Sequence, residues 1–437
     1  MGLLSSHFDA RPPSRRDVLR GTVVAALGGL RLGRADEPKT KPAELLDEIE
    51  RRACLYFYEQ AHPVTGLVLD RVRTDGMDDR RVASVAATGF GLSALCIAHQ
   101  RGYLKKDEAE QRAERTLDFF ARRAFCQRGF YFHFLDCVSG QRAFGCELSS
   151  VDTTWLLCGA LHAREHFGKG SIRRLANEIL QRVDWRWMTA GGSTLCHGWT
   201  PENGFLPYRW DEYAELLAMY LFAIGSTSYP IPASSWDEWK RPNLIEDSGA
   251  SFIESRAPLF VHQYSHAWFD FRSQQDGWAD YFRNSQLATI RHRDFCIGLK
   301  AKFPWFGENM WGISASDSQF GYIDWGGPRT KANDRIDGTL VPCASGGSVV
   351  FMPDECTRVL DTMLDRYGAK VWTRYGFVDA FHPQAGWYSP DVLGIDLGIM
   401  LLMAENLRTG GVWKTIMSTP EAIRGFKAAG FYNPQTL

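Results

Sequence analysis

The segment Glu147–Leu161, ELSSVDTTWLLCGAL, places two carboxylates at the start of an apolar helix. Glu147 and Asp152 lie on either side of a Ser-Ser pair, and the residues that follow are almost all small or apolar. A second run of this kind, ELLAMYLFAIG over 215–225, begins with Glu215. Helices that are apolar on every side lie in the interior of a protein. We therefore expect two buried helices whose acidic ends open onto a shared cavity.

Apolar residues recur with the helical period along most of the chain. The predicted helices are 43–58, 82–99, 106–124, 151–167, 172–188, 213–223, 278–300, 354–367, 390–407 and 420–429. Only short strands are expected, at 130–134 and near 349–352. This many helices, joined by loops rich in Gly, Pro, Asp and aromatic residues, predict an all-α fold, an (α/α)6 toroid with long loops and a few short strands. A two-layer solenoid also fits the helices, but no repeat of fixed period supports it.

The composition of the 437-residue chain limits its class and its number of domains. Hydrophobic residues make up 45% of it, and the formal net charge is −1. No basic cluster is present, which argues against a nucleic-acid partner. No segment reaches the roughly 18 uninterrupted apolar residues that a membrane-spanning helix needs. Because no linker or low-complexity stretch divides residues 36–437, we expect a single domain there, acting as a monomer.

The N-terminal residues resemble an export signal rather than a part of the fold. Ser14–Arg20, SRRDVLR, is similar to a twin-arginine motif, and a short apolar run over 22–30 follows it. Small residues over 33–35 then offer a cleavage site before Asp36. The pattern predicts a signal peptide over 1–35 and a periplasmic or secreted protein. An incidental basic N-terminus on a cytoplasmic protein is the alternative.

Ten cysteines are spread along the chain without a Cys-x-x-Cys pair. Several, such as Cys96 and Cys158, interrupt apolar helical runs, where a thiol behaves as a small hydrophobe. We expect mostly free thiols in the core, with one or two disulfides as the alternative. His262 and His266 have the spacing that binds zinc on a helix, and Asp270 continues it. The segment lacks a His-Glu-x-x-His pattern, so neither a metal nor another cofactor is predicted.

Several motifs that follow one another along the chain resemble one family. Residues 57–71, FYEQAHPVTGLVLDR, are similar to the opening of the bacterial glucoamylase-like proteins, a group that includes the endo-β-1,2-glucanases of glycoside hydrolase family 144. The further matches are 86–92, 133–136, 147–153, Glu215 with 220–226, 376–381 and 394–398. The resemblance implies an (α/α)6 barrel and an inverting, endo-acting hydrolysis of linear β-1,2-glucan without metal or cofactor. Thr227 and Leu397 depart from the family pattern, in which Pro and Gln are usual.

Glycoside hydrolysis needs one carboxyl that keeps its proton and another that is ionised. Glu215 is the predicted general acid, because an apolar helix would shield it from water and raise its pKa. Asp396 is the predicted base, since it precedes another apolar run at the far end of the chain. Glu147 is the alternative base. Asp152 is either a helix N-cap or a substrate contact, and Asp136 is expected to bind sugar hydroxyls or to support another acid.

Sugar rings offer an apolar face for stacking and hydroxyl groups for hydrogen bonds. Aromatic and planar polar side chains in the connecting segments are therefore the predicted substrate contacts. They are Trp210, Tyr264, His266, Trp268, Arg272, Trp311, Asp317, Tyr322, Asp379, Phe381 and Trp387.

Other activities fit parts of the same pattern. An exo-acting, sophorose-releasing hydrolase and a β-1,2-glucan transglycosylase are the nearest alternatives. A polysaccharide lyase could use Tyr264 or His266 to abstract a proton from a uronic acid, although the chain has little excess of basic residues to hold an anionic substrate. A non-catalytic glucan-binding protein would keep the tryptophans without needing Glu215 or Asp396.

Overall fold

The structure is a computed structural model, and it describes residues 42–75, 78–245, 251–255, 257–328 and 335–436. The predicted signal peptide, 1–35, lies outside the described residues. The α-helices of the described part are α1 (Pro42–Glu59), α2 (Val85–Gln100), α3 (Lys106–Arg122), α4 (Ser150–Phe167), α5 (Gly170–Arg182), α6 (Trp185–Met188), α7 (Leu217–Gly225), α8 (Tyr264–Trp268), α9 (Tyr281–Gly298), α10 (Pro342–Gly346), α11 (Pro353–Tyr367), α12 (Gly394–Arg408), α13 (Gly411–Met417) and α14 (Pro420–Ala428).

The strands are short and lie in the segments that connect the helices. They are β1 (Arg71–Arg73), β2 (Val82–Ser84), β3 (Cys126–Gln127), β4 (Phe130–Phe132), β5 (Phe134–Asp136), β6 (Leu148–Ser149), β7 (Gly198–Thr200), β8 (Gly204–Phe205), β9 (Asn243–Ile245), β10 (Ser251–Ile253), β11 (Ala315–Ser318), β12 (Gly321–Asp324), β13 (Trp372–Thr373), β14 (Gly376–Phe377), β15 (Phe381–His382), β16 (Trp387–Tyr388) and β17 (Asp391–Leu393). The largest sheet has five antiparallel strands in the order β3-β4-β6-β7-β8.

Four helices, α2, α4, α7 and α12, form an inner layer. Nearly every residue of each is buried, in agreement with sequences that are apolar on all sides. Other helices cover this layer with a single apolar stripe. In α5 the buried residues are Ile172, Leu175, Ala176 and Ile179, the spacing of one helix face. Helix α1 packs on α2 and α12, α5 packs on α4, and α14 packs on α7. Inner helices paired with outer helices are the arrangement of an α/α toroid.

The inner helices α2 and α4 touch through their backbones. A Cβ atom on Gly159 would stand 2.0 Å from the carbonyl oxygen of Gly89, and a Cβ atom on Gly89 would stand 2.2 Å from the carbonyl oxygen of Trp155. No side chain fits at either distance. The two glycines therefore set how closely α2 and α4 approach each other.

Strands from near the two ends of the described chain pair with each other and lie beside α1 and α12. Strand β1 pairs antiparallel with β17, and Arg71 lies opposite Leu393. Helix α12 begins directly after β17, and α1 packs on α12. The pairing places residues that follow α1 beside the N-terminus of α12.

The predicted helices are present, but several begin or end elsewhere. Residues 82–84 form β2, and the Ser84 side chain accepts a hydrogen bond from the Ala87 amide to cap α2. The predicted helix 172–188 divides into α5 and α6, since Asp184 caps a new turn. Helix α7 begins at Leu217, so Glu215 lies on the turn that precedes it.

Some predictions for the loops were wrong. Residues 349–352 form buried turns after α10 and not a strand. The short helices α8, α10 and α13 were not predicted, because five to seven residues carry too little of the helical period to be recognised. All ten cysteines are free thiols, and eight of them are buried. In the part of the chain that the structure describes, none of the helices has the length and hydropathy to span a membrane.

The close contact between α2 and α4 predicts that a side chain larger than glycine at position 159 lowers the free energy of unfolding. Gly159→Ala inserts a methyl group 2.0 Å from the backbone of α2 and forces the two helices apart. We expect the free energy of unfolding to fall by about 1–3 kcal/mol or more, the cost of overpacking a core. Denaturant unfolding measures this change. Gly170→Ala is the matched control, because no atom lies within 4 Å of the added Cβ, and an equal loss in both variants would contradict the interpretation.

Candidate active site

A cavity of about 420 Å³ opens where the inner helices begin. Helices α2, α4 and α12 contribute residues from their first turns, and Glu215 comes from the turn before α7. The lining residues are Asp70, Arg71, Ser84, Ala86, His133, Phe134, Val151, Asp152, Trp155, Glu215, Phe260, Tyr264, Ser314, Ala315, Tyr322, Cys343, Leu393, Ile395 and Asp396. Since several helix N-termini point at one cavity, their dipoles favour negative charge inside it.

Glu215, the predicted acid, lies on this cavity wall. Its backbone carbonyl accepts a hydrogen bond from the Ser265 hydroxyl at 3.0 Å, which holds the turn against α8. Burial raises the pKa of the Glu215 carboxyl to about 7, a backbone hydrogen bond opposes the rise, and the nearby negative charge of Asp152 adds to it. A substantial fraction of Glu215 is therefore protonated at neutral pH and can donate a proton.

Asp396, the predicted base, lines the same cavity from the first turn of α12. Behind it lies Asp379, a residue of the loop between β14 and β15 that is 1% exposed. The two carboxyls are in hydrogen-bonding contact, and Oδ1 of Asp379 and Oδ2 of Asp396 are both buried. A proton on one carboxyl lets it donate a hydrogen bond to the other.

The surroundings of the pair decide which carboxyl carries that proton. Burial and the charge of Asp396 raise the pKa of Asp379 well above its ordinary value. Burial also raises the pKa of Asp396, but hydrogen bonds from Asp379 and the Cys343 thiol and the positive charge of Arg71 oppose the rise. We therefore place the proton on Asp379. Asp396 is then the ionised member and faces the cavity.

His133 connects two further acids of the sequence motif. Its Nδ1 atom lies 3.2 Å from Glu147, and its Nε2 atom lies 3.4 Å from Asp152. Burial opposes a charge on the imidazole, but the two carboxylates outweigh it and raise the pKa of His133 to about 9. Burial raises the pKa of Glu147, and the hydrogen bond and charge from His133 more than cancel this and lower it. His133 is thus an imidazolium at neutral pH.

Glu147 and Asp152 differ in how they lie relative to the cavity. The side chains of His133, Glu147 and Asp152 lie within 4.8 Å of one another, and the imidazole of His133 contacts both carboxylates. Glu147 points its carboxylate at His133 and does not line the cavity. Asp152 does line it, and its amide is capped by the Ser149 hydroxyl at 3.1 Å. The geometry therefore favours Asp396 over Glu147 as the base.

Arg71 carries positive charge to the wall beside Asp396. Its guanidinium lies 2.7 Å from Asp317, 3.1 Å from Asp70 and 3.7 Å from Asp391. The amide of Asp317 in turn donates to Asp379 at 2.8 Å. Asp317 thus belongs to the network that holds the carboxyl pair, although its own side chain does not line the cavity.

Aromatic rings form much of the remaining wall. Trp155 lies one turn after Asp152 on the same face of α4 and packs edge-on against Tyr264, with ring centres 5.8 Å apart. Phe260 packs on the other side of Tyr264 at 5.3 Å. Tyr322, on the hairpin formed by β11 and β12, is 61% exposed and reaches the mouth of the cavity. Trp155 is 2% exposed and stacks on Trp268, so Tyr322 is the exposed ring of this wall.

Several predicted substrate contacts lie in the core and do not reach the cavity. Their polar atoms bond to neighbouring structural groups: Trp210 donates to Ser150, Trp268 donates to Ser93, and His266 contacts Ser285. Trp311 and Phe381 are fully buried as well. Large aromatic side chains bury the most apolar surface, which is why the core uses them.

Three other residues predicted to contact the substrate instead contact protein groups outside the cavity wall. Asp136 pairs with Arg81 and accepts hydrogen bonds from the turn at Ser139. Arg272 pairs with Asp270 and stacks on a tryptophan ring. Trp387 lies in the strand pair of β15 and β16. Asp136 and Arg81 are 55 positions apart, so their pairing could not be predicted from the sequence.

Arg71, His133, Trp155 and Phe260 are among the wall residues that were not predicted from the sequence. A signal existed for Trp155, because it lies three residues after Asp152 and helical residues at that spacing share a face. Arg71 and His133 lie within motifs that carry the family resemblance. Nothing in the sequence around Phe260 marks it.

Comparisons with known proteins place the chain in a family. The family model described as "Glycoamylase: Putative glucoamylase" matches residues 207–420. A solved structure described as a "putative glucoamylase" from Bacteroides fragilis NCTC 9343 is 30% identical, with a TM-score of 0.83 over 90% of this chain and 98% of that one. The chain belongs to the bacterial glucoamylase-like family. The family resemblance and the (α/α)6 fold predicted from the sequence are confirmed.

Other members of the family have more specific descriptions. An endo-β-1,2-glucanase from Chitinophaga pinensis, solved with sophorotriose and glucose, is 27% identical with a TM-score of 0.83 over 90% of this chain and 99% of that one. A curated relative from Parabacteroides distasonis, an exo β-1,2-glucooligosaccharide sophorohydrolase acting at the non-reducing end, is 26% identical over 425 residues. The alignment covers 88% of this chain but only 57% of that relative.

Proposed function

We propose that this protein is a glycoside hydrolase that cleaves linear β-1,2-glucan by an endo-acting, inverting mechanism. The observation that carries the proposal is the cavity that Glu215 and Asp396 both line, each with a carboxyl whose pKa is raised by burial. Family members with named β-1,2-glucan activities share this fold over almost the whole described chain.

In the proposed reaction Glu215 protonates the glycosidic oxygen as the bond to the anomeric carbon breaks. Asp396 removes a proton from a water molecule, and that water attacks the anomeric carbon from the opposite face of the ring. An inverting pair needs about 6.5–9.5 Å between its carboxyls to admit this water. Asp379 contributes by holding the proton that keeps Asp396 ionised, and Cys343 and Arg71 support the same state.

The charges and rings of the cavity suit a neutral sugar. Tyr322 offers an exposed ring for stacking, and the carboxyls of the wall can accept hydrogen bonds from sugar hydroxyl groups. A uronic acid would instead meet the carboxyls of Asp70, Asp152, Glu215 and Asp396. Burial raises the pKa of Tyr264 well above its ordinary value, and His266 lies outside the cavity, so neither predicted lyase base is suited to that role.

Exo-acting release of sophorose is the second candidate, favoured by the named activity of the Parabacteroides relative. The test is to incubate the purified protein with linear β-1,2-glucan and to follow product size over time. Oligosaccharides of several lengths at early times support endo action, whereas sophorose alone supports exo action. If no product is released from this glucan but another polysaccharide is hydrolysed, linear β-1,2-glucan is not the substrate.

Removal of either proposed catalytic carboxyl should abolish most hydrolysis. Glu215→Gln has no proton to donate and Asp396→Asn cannot accept one, so we expect kcat to fall by roughly 10²–10⁴-fold in each. In the unmodified protein activity should decline as the pH rises through about 7, where Glu215 loses its proton, and Glu215→Gln should lack this decline. Glu212→Gln, an exposed glutamate three residues away, is the control. Near-normal kcat in Glu215→Gln would contradict its role as acid.

Asp379 provides a sharper test of the carboxyl pair. Asparagine keeps both of its hydrogen bonds, donating to Asp396 and accepting from the Asp317 amide, so Asp379→Asn should keep most of the activity. Asp379→Ala leaves Asp396 without its donor and should lower kcat/KM by about 10–100-fold, the equivalent of one unsatisfied buried polar group. Steady-state kinetics of the two variants measure the difference. If Asp379→Asn were as damaging as Asp396→Asn, Asp379 would have to be ionised.

We further propose that the protein is exported through the twin-arginine pathway and acts as a monomer in the periplasm or outside the cell. The support is the SRRDVLR segment and the small residues before Asp36. The mature protein should then begin at Asp36 when its N-terminus is sequenced after expression in a host with this pathway. Replacing Arg15 and Arg16 by Lys should keep it inside the cell, and unchanged export would contradict the proposal.

A further inference from the structure

A second cluster of functional side chains lies at the opposite end of the inner helices. Helices α2 and α4 both begin at the cavity, so their C-terminal ends lie together on the far side of the fold. Cys96 and His99 lie near the end of α2, and His162 and His166 lie near the end of α4. None of the four lines the cavity, and the proposed hydrolysis does not use them.

The spacing of these residues turns them toward one another. Cys96 and His99 are three residues apart, and His162 and His166 are four residues apart, so each pair lies on one face of its helix. One ligand atom from each of Cys96, His162 and His166 lies within 4.8 Å of the others. The Nδ1 atom of His99 lies 2.8 Å from the Nε2 atom of His166. Two packed helices thus bring one thiol and three imidazoles together.

One buried ring atom of this cluster has no hydrogen-bond partner. His162 is 2% exposed, and its Nδ1 atom has no hydrogen-bond partner. A buried polar atom without a partner costs about 1–3 kcal/mol. The Cys96 thiol donates a hydrogen bond of 3.3 Å to the carbonyl of Leu92, one turn back in its own helix. A metal ion bound through Nδ1 of His162 would remove the cost at that atom.

Burial lowers the pKa of two histidines in this cluster, whereas the pKa of His133 in the cavity is raised. Burial lowers the pKa of His162 to about 3 and, together with the charge of His99, lowers the pKa of His166 to about 4. Both rings are therefore neutral at physiological pH, the form in which histidine binds metals. Burial raises the pKa of the Cys96 thiol, but a bound cation of sufficient charge deprotonates a coordinating thiol.

We propose that Cys96, His162 and His166 bind a zinc-class divalent ion, and that His99 supports the site through its contact with His166. Sulfur and imidazole nitrogen donors suit Zn²⁺, whereas Ca²⁺ and Mg²⁺ take oxygen ligands. The site is structural, because it joins the ends of α2 and α4 and lies away from the substrate cavity.

The proposed ion requires only a small contraction of the cluster. Zinc–ligand bonds of about 2.0–2.3 Å in a tetrahedral site place the ligand atoms roughly 3.3–3.8 Å apart. The side chains therefore move together by about 1 Å, which rotamer adjustments can supply. His99 and His166 are only partly buried and leave a route by which the ion enters. The negative ends of two helix dipoles also favour a cation at this position.

The experiment is metal titration of the purified, chelator-treated full chain. We expect one equivalent of Zn²⁺ per chain and a higher melting temperature in its presence. Co²⁺ as a probe should give a thiolate-to-cobalt charge-transfer band in the near ultraviolet. Cys96→Ser and His162→Gln should each weaken Zn²⁺ binding by more than 100-fold, and His99→Gln should weaken it by about 10–100-fold, the usual effect of a supporting group.

Cys158→Ser is the matched control, because Cys158 is a buried thiol on the same helix as His162 but is not part of the cluster. It should bind Zn²⁺ like the unmodified chain. Glucan hydrolysis should be equal in all four variants, which also shows that they fold. Absence of a thiolate band with Co²⁺ in the unmodified chain would overturn the proposal whatever the variants do. So would stoichiometric binding that survives in both Cys96→Ser and His162→Gln.

Discussion

The backbone contact between α2 and α4 is the constraint on which much of the structure depends. Only glycine fits at positions 89 and 159, where the two helices meet, and this contact lets two almost wholly buried helices lie side by side. Their capping residues, Ser84 and Ser149, then sit at the same end of the fold. The alignment determines where the cavity forms, because the first turns of these helices become its wall. It also brings their last turns together, where the thiol and imidazole groups meet.

Burial raises the pKa of an acid and lowers the pKa of a histidine. The two ends of the inner helices show one effect each. In the cavity it raises the pKa of Glu215 and of the Asp379–Asp396 pair, so protons are held near neutral pH. At the far end it lowers the pKa of His162 and leaves the ring neutral. His133 is the exception, since two carboxylates beside it outweigh burial and keep it charged. Partners, as well as depth, therefore decide the charge of each buried group.

The helices and the two acids proposed for catalysis could be predicted from the sequence with reasonable detail. Continuous apolar runs indicated the inner helices, and Glu215 and Asp396 stood out because a carboxylate at the start of such a run is unusual. The tryptophans were less informative. Trp268 and Trp311 fill the core, whereas Trp155 reaches the cavity, and all three lie among apolar or aromatic neighbours in the sequence. A large ring is equally suited to packing and to ligand stacking, so residue type alone did not separate these roles.

The sequence by itself determined the helical class, the family and the presence of acids at the starts of apolar helices. These properties follow from local periodicity and from motifs within short stretches. Only the tertiary structure decided which groups became neighbours. Arg71 meets Asp317 across 246 positions of the chain, and Asp379 lies behind Asp396 because a loop folds beneath the first turn of α12. The charge of a buried carboxyl depends on its desolvation and on neighbours within a few ångströms, and distance along the chain specifies neither.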